Sequence, residues 1–500
     1  MSPGGQDRGN LDAILTTAAR DRKRLDSQAL GAFSLTLLGV ASVVGAGIFV
    51  VTGDAAAHYA GPAVLISFVL AGIVAGLTAL CYAELASAIP AAGSTYSYAF
   101  AAFGPFVGWF IGWDLLLEYL FAASTVAVGW SGYLVSLCAS IGIHFPADLA
   151  SAPFGDQAGV VNLPALGIML LTSGALYLGT RESAIANNAM VGLKLLILLV
   201  VVVVGVFYIS DANLEPFVPT STGGFGDFGW TGVLRGAGIV FFAYIGFDAV
   251  STAAAEARNP RRTVPIGLLG TVLIATAIYI AVGFVLTGML NYRQLGVADP
   301  IAAAVHAAGP NLEWLLRATD VAAVVGLAST VLVTLYGQTR IFMRMSEDGM
   351  LPPAFGRVGA RTKTPHFSIL VCGVAGGIVA ALVPLSVLGE LISIGTLLAF
   401  IIVSSGVVVM RRRYPDLERP FRVPALPLVA AAAILSSLAL MATLPGATWI
   451  RLAVWALIGI CIYFFYARRH SGERMRALAA DGPISPNMET KSAHRPGGLP

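Results

Sequence analysis

Apolar residues gather in long, nearly uncharged runs. A helix needs about 20 mainly apolar residues to cross the hydrocarbon core of a bilayer. Twelve runs have that character: 33–57, 62–88, 105–138, 161–180, 184–209, 230–256, 264–289, 318–345, 366–385, 387–410, 424–444 and 448–467. The third and eighth are long and predict helices that tilt or project beyond the bilayer. No intervening segment is large enough to fold alone. The pattern predicts one all-α membrane domain with 12 transmembrane helices.

Two runs contain weak points. The first holds Gly45-Ala46-Gly47, and the sixth holds Gly246 within Phe241–Asp248. Mid-helix glycine costs roughly 1 kcal/mol relative to alanine. The interruptions fall in the first span of each of two five-span halves, which predicts a five-plus-five inverted repeat with broken helices 1 and 6. Gly236 and Gly238 lie nearer one end of the sixth run and read as helix-packing glycines. A break exposes backbone N–H groups on one half-helix and carbonyls on another. The former suit a carboxylate and the latter an ammonium. An α-amino acid carries both groups on one carbon.

The positive charges set an orientation. With the N-terminus inside, 25 of the 30 Lys and Arg residues fall on the cytoplasmic side, and Arg235, Arg293, Arg317 and Arg451 fall outside. This bias places both termini in the cytoplasm. Residues 1–28 lack a short apolar stretch with a cleavage site, so they read as a cytoplasmic tail rather than a signal peptide. The segment after Ala467 reads likewise.

Composition agrees. Of 500 residues, 57% are hydrophobic and 11% charged, with mean hydropathy +0.81, against roughly 25% charged in soluble domains. A soluble enzyme is excluded, and a net charge of +3 gives no footprint for nucleic acid. Cys81, Cys138, Cys372 and Cys461 show no metal-ligand spacing, and no cofactor or metal is expected. The lipid bilayer is the obligatory partner.

Several motifs resemble one family. Val44–Val50 (VGAGIFV) resembles the helix-1 motif of the amino acid–polyamine–organocation superfamily. Phe241–Thr252 with Glu256–Pro260, Gly112–Tyr119, Leu335–Arg340 leading to Met345–Gly349, Ser393–Phe400 and Arg419–Pro424 resemble its cationic amino acid transporter family. The resemblance runs from about residue 30 to 467. It implies a first repeat at 31–210, a second at 211–411, two added C-terminal helices at 412–467, and tails at 1–30 and 468–500. It also implies proton-coupled or exchange transport of amino acids. The scarcity of Lys against Arg, with the Ala and Gly richness, points to a GC-rich bacterial genome and hence a bacterial inner membrane. By position, the amides of Ala46 and Gly47 would receive a substrate carboxylate. The carbonyls of Val43, Phe242, Ala243 and Ile245 would receive its amine. Phe242 and Phe247 are candidates for capping the pocket. Ala46 stands where relatives often have Thr or Ser, so no hydroxyl contact arises there.

Lys194 is the one lysine inside a span. It lies about ten residues, or about 15 Å, from the span's start, too deep for easy snorkelling. At a span centre it costs about 2.5–3.5 kcal/mol on insertion scales. Its chemistry suits a proton carrier. The resemblance puts it where sodium-coupled relatives hold their ion, with carbonyls near Ala41 and Val44 and the hydroxyls of Ser329 or Thr330 as partners. The alternative is a fixed structural cation in an amino acid exchanger. A non-transporting sensor or partner-dependent subunit is a third reading, opposed by the short loops.

Asp114 and Glu118 share a helix face, and Glu118 is a candidate pocket residue. Asp248, Glu256 and Arg258 read as a gate or cap network. Asp320 and Arg317 read as interfacial, as do His58 and His366. Neutral substrates are favoured over cationic ones.

Overall fold

The computed structural model describes residues 30–89, 94–154, 159–179, 184–359, 362 and 364–470, with backbone alone for 94, 184–188, 252, 255 and 256. Residues 1–29 and 471–500 of the two tails, Arg181, Arg361 and Lys363, and the side chain of Glu256, lie outside what is described. The described chain is helical, with two isolated β-bridges, Leu30–Ala257 and Ala150–Asn162.

In chain order the helices are α1 (Ala32–Val43), α2 (47–60, with π turns at Gly47–Val51 and Ala56–Ala60), α3 (Val64–Ala88), α4 (Ser94–Phe103), α5 (Pro105–Ser140), α6 (Leu163–Leu178), α7 (Ala184–Gly205) and α8 (Gly229–Val240). Then come α9 (Ala249–Thr252), α10 (Pro260–Met289), α11 (Pro300–Ala307), α12 (Glu313–Glu347), α13 (His366–Leu382), α14 (Leu385–Arg413), α15 (Leu426–Thr443) and α16 (Gly446–Ile462). Among the described residues, nine helical runs are long and apolar enough to cross a membrane. One of them, Gly47–Ala88, turns at Gly61, where φ is 60°. Three shorter apolar helices, α1, α6 and α13, accompany them.

The third and eighth predicted runs become α5 and α12, of 36 and 35 residues. At 1.5 Å per residue each spans over 50 Å, well beyond a hydrocarbon core of about 30 Å. They pack along each other as the spine of the bundle; α5 touches the start of α2, while α1 packs on α10 and α8 on α3. Lipid supplies no hydrophobic drive between helices, so close approach of small residues does much of the packing. Gly238 of α8 meets Leu440 and Thr443 of α15, and Gly267 of α10 meets Leu35 of α1. Indole donors bind α16 to α5: Trp109 donates to Gly459 O (2.8 Å), while Trp113 and Trp455 each donate to the other's carbonyl (2.8 and 3.1 Å).

One ion cluster closes the Arg-rich end of α14. Glu84 of α3 accepts two bonds from Arg411 (2.7 and 2.6 Å) and one from Val423 N–H (2.7 Å), with Arg419 Nε at 3.5 Å. Arg419 also donates to the carbonyls of Met410, Tyr414 and Leu417 (2.9, 2.7 and 2.7 Å), at the end of α14 and in its following turn.

Candidate functional site: two apposed helix breaks

α1 stops at Val43. Val44 is extended (ψ 93°), though its N–H still reaches Val40 O at 2.9 Å. The next turn starts on Gly45 O, which accepts from Ile48 and Phe49 N–H, both at 3.2 Å. The amides of Ala46 and Gly47 therefore stand ahead of the first closed turn, at a helix N-terminus.

The second interruption follows α8. A 3-10 turn, Phe241–Tyr244, leads to extended Ile245 (ψ 137°) and then to Gly246 at φ 102°. Only glycine adopts that backbone cheaply. Gly246 also lies against Ser42, so a Cβ there would sit 3.0 Å from the Ser42 carbonyl oxygen.

The two breaks touch. A Cβ on Gly47 would collide with Ala243 Cα and Cβ, so the backbones approach at a distance no side chain allows. Tyr279 of α10 stands over the junction. Its hydroxyl lies 2.6 Å from Ala243 O and 3.0 Å from Val43 O. One O–H thus serves a carbonyl from each break. The Phe242 carbonyl accepts from Ile245 N–H at 3.1 Å, so it is engaged within its own turn.

Aromatic rings close one side. Phe247 is buried, edge-on to Tyr82 (5.4 Å) and Phe400 (5.2 Å), and Phe241 is edge-on to Phe400 (5.3 Å). Beside them is a cavity of about 10 Å³, lined by Glu118, Asp248, Thr95, Thr396, Ile245 and Gly246 among others. That is roughly the space of one water. Glu118 thus sits next to the second break, beside Asp248. Asp114, four residues earlier, is buried against Gly395.

Lys194 is 4% exposed, and its ammonium donates to Ala41 O at 2.8 Å. That carbonyl belongs to the last turn of α1, just before the break. α12 meets the lysine stem at Gly326. Thr330, one turn on, donates its hydroxyl to Gly326 O (2.9 Å) and turns its methyl toward Gly45. Ser329 is buried on the same helix.

Three tyrosines that the sequence pattern does not single out fasten the broken segments: Tyr279 as above, Tyr133 of α5 to Phe49 O (2.7 Å), and Tyr244 to Phe68 O (2.8 Å). A tyrosine in an apolar run carries no periodic signal of such a role. Asp320, expected at the interface, is instead fully buried and accepts from Ser136 Oγ at 2.9 Å. The long α5 and α12 cross at that depth and exclude water. Arg317 stays exposed beside Glu313 (3.6 Å). His58 pairs with Asp54 (3.1 Å) and His366 with Thr362 (2.7 Å).

Two apposed helix breaks inside an apolar helical bundle define a membrane permease. The chain belongs to the amino acid permease family, within the amino acid–polyamine–organocation superfamily, and the family pattern covers residues 30–467. It is similar to the methylthioribose transporter of Bacillus subtilis, 42% identical over 91% of this chain and 97% of that one. It is likewise similar to the branched-chain amino acid permease BcaP of the same organism, at 43% over 91% and 96%. The vacuolar cationic amino acid transporter 2 of Arabidopsis thaliana is 36% identical over 79% of this chain and 61% of its own. The chain is a transporter and not an enzyme.

Proposed function

We propose that this permease imports neutral amino acids together with protons by alternating access. The observation that carries the reading is the backbone contact of Gly47 with Ala243, which sets an amide cluster beside a carbonyl cluster. In this reading the amides of Ala46 and Gly47 hold the substrate carboxylate. The carbonyls of Val43, Phe242, Ala243 and Ile245 face its amine, and the Phe242 ring helps to cap the pocket. Phe247 caps the site, and Glu118 borders the side-chain pocket. Similarity to a branched-chain amino acid permease favours small apolar side chains.

Twelve spans follow if α1 and α2 are the two halves of one, α3 is the second, and α8 with α9 makes the sixth. The Arg-rich ends, including the Glu84 cluster, then face the cytoplasm, and α11 faces outward. Lys194 is the proton carrier. When charged, it ties the end of α1 to α7. When neutral, it loses the attraction to Ala41 O and frees α1 to move. A proton moving down 100 mV supplies about 2.3 kcal/mol, enough for more than tenfold accumulation.

Uptake of labelled leucine into proteoliposomes, competed with neutral and cationic amino acids and with methylthioribose, tests the substrate class. Competition by valine and isoleucine but not by arginine is expected. Uptake of labelled methylthioribose with none of labelled leucine would overturn the amino acid assignment.

A further inference from the structure

The segment 291–312 joins α10 to α12 and carries α11. It is seated on the broken helix and on the spine: Leu295 and Pro300 press on Gly53 of α2, and Ala298 presses on Gly132 of α5. Beneath it Asp320 is fully buried. Its Oδ2 accepts from Ser136 Oγ at 2.9 Å, and its Oδ1 is buried with no hydrogen-bond partner among the described residues. Asp299 opens α11, yet its side chain caps no amide of that helix. Both carboxyl groups act electrostatically on Tyr133, whose hydroxyl holds Phe49 O of α2.

The neighbouring charges are engaged elsewhere. On α12, Arg317 faces Glu313 (3.6 Å) with a 57% exposed side chain. On the segment itself, Arg293 lies over the Tyr292 ring (5.8 Å) and His306 is exposed. On α2, His58 pairs with Asp54 (3.1 Å) and its ring sits against Gly296. On α7, Lys194 is bonded to Ala41. α5 contributes Tyr133 and Ser136.

A buried oxygen without a donor is expensive, and two carboxyl groups sharing a site without a cation cannot both stay ionised cheaply. A proton supplies the missing donor. We propose that Asp320 and Asp299 form a second proton-binding site, separate from Lys194, whose occupation seats the 291–312 segment over the broken helix. This rests on the transporter reading for its use: the segment is then an outer lid that closes as an external proton binds.

Packing lifts the Asp299 carboxyl to about 6. Lifting the lid would return it toward the ordinary value of about 3.9. Protonation therefore favours the seated lid. That contribution is complete below the ordinary value and is lost as pH rises through about 6.

Hydrogen–deuterium exchange on the full chain in nanodiscs tests this, with rates corrected for intrinsic pH dependence. Amides of 295–308 should exchange about tenfold faster at about pH 7.5 than at about pH 5. Asp299→Asn, which has no carboxyl left to titrate, should stay protected at both. Asp320→Asn, which supplies a permanent N–H donor at the other carboxyl, should reduce the difference. An unchanged response in Asp299→Asn, or none in the wild type, would overturn the proposal. So would recovery of protection at the higher pH on adding sodium, which would make the occupant a metal cation. Leucine uptake by the same preparation is read in parallel. A pH-dependent lid without uptake would leave the proton site standing and remove the transport reading alone.

Discussion

Gly47 and Ala243, 196 positions apart in sequence, meet backbone to backbone where two interrupted helices face each other. The contact gives each break a wall made of the other. Gly47→Ala introduces a methyl where Ala243 already lies. Overpacking of this kind costs about 1–3 kcal/mol, and here it drives the two halves of the site apart. Leucine transport should fall at least about tenfold while the protein still inserts and purifies. Near-normal uptake by Gly47→Ala would show that the apposition has no functional weight.

Tyr279 is the donor that both breaks share. Tyr279→Phe removes the O–H and leaves the Val43 and Ala243 carbonyls without it, a loss of about 1–3 kcal/mol. We expect KM for leucine to rise about tenfold, with a smaller change in maximal rate, because the carbonyls that face the amine lose their fixed spacing. An unchanged KM would mean that the hydroxyl is purely a packing partner.

The Glu84 cluster gives a stability prediction. Its side chain is 2% exposed and that of Arg419 is 5% exposed. Removing one member of a fully buried pair costs about 3–5 kcal/mol, less here because Arg411 is 29% open to solvent. Glu84→Gln should lower the thermal unfolding midpoint in detergent by several degrees while leaving KM unchanged. Arg419→Lys should resemble it, since a single ammonium cannot reach the four carbonyls that the guanidinium collects. A midpoint equal to wild type in both variants would contradict this.

Much of the architecture was legible in sequence because a bilayer imposes long apolar runs and penalises exceptions. The Gly45–Gly47 and Gly246 interruptions stood out for that reason, and so did Lys194. The pairings that fix the site were not legible. Glu84 and Arg411 are 327 residues apart, and nothing local to either announces the other. Tyr279 looks like any aromatic residue in an apolar run. Helices α4 and α11 are short and fall between the predicted spans. Asp320 was placed at the interface because run length alone does not tell how deeply a long helix is covered. The Phe242 carbonyl, assigned to the substrate by position, also accepts from Ile245 N–H inside the 3-10 turn, a local bond that spacing does not announce.

The central claim is that Lys194 couples proton movement to the break at the end of α1. Labelled leucine uptake in proteoliposomes, with and without an inward proton gradient, for wild type and Lys194→Ala, tests it most directly. Wild type should accumulate leucine when the gradient is present. Lys194→Ala should lose the gradient dependence, since the donor to Ala41 O is gone. Wild-type uptake that requires preloaded amino acid and ignores the gradient would contradict it, and would make the protein an exchanger in which Lys194 is a fixed cation.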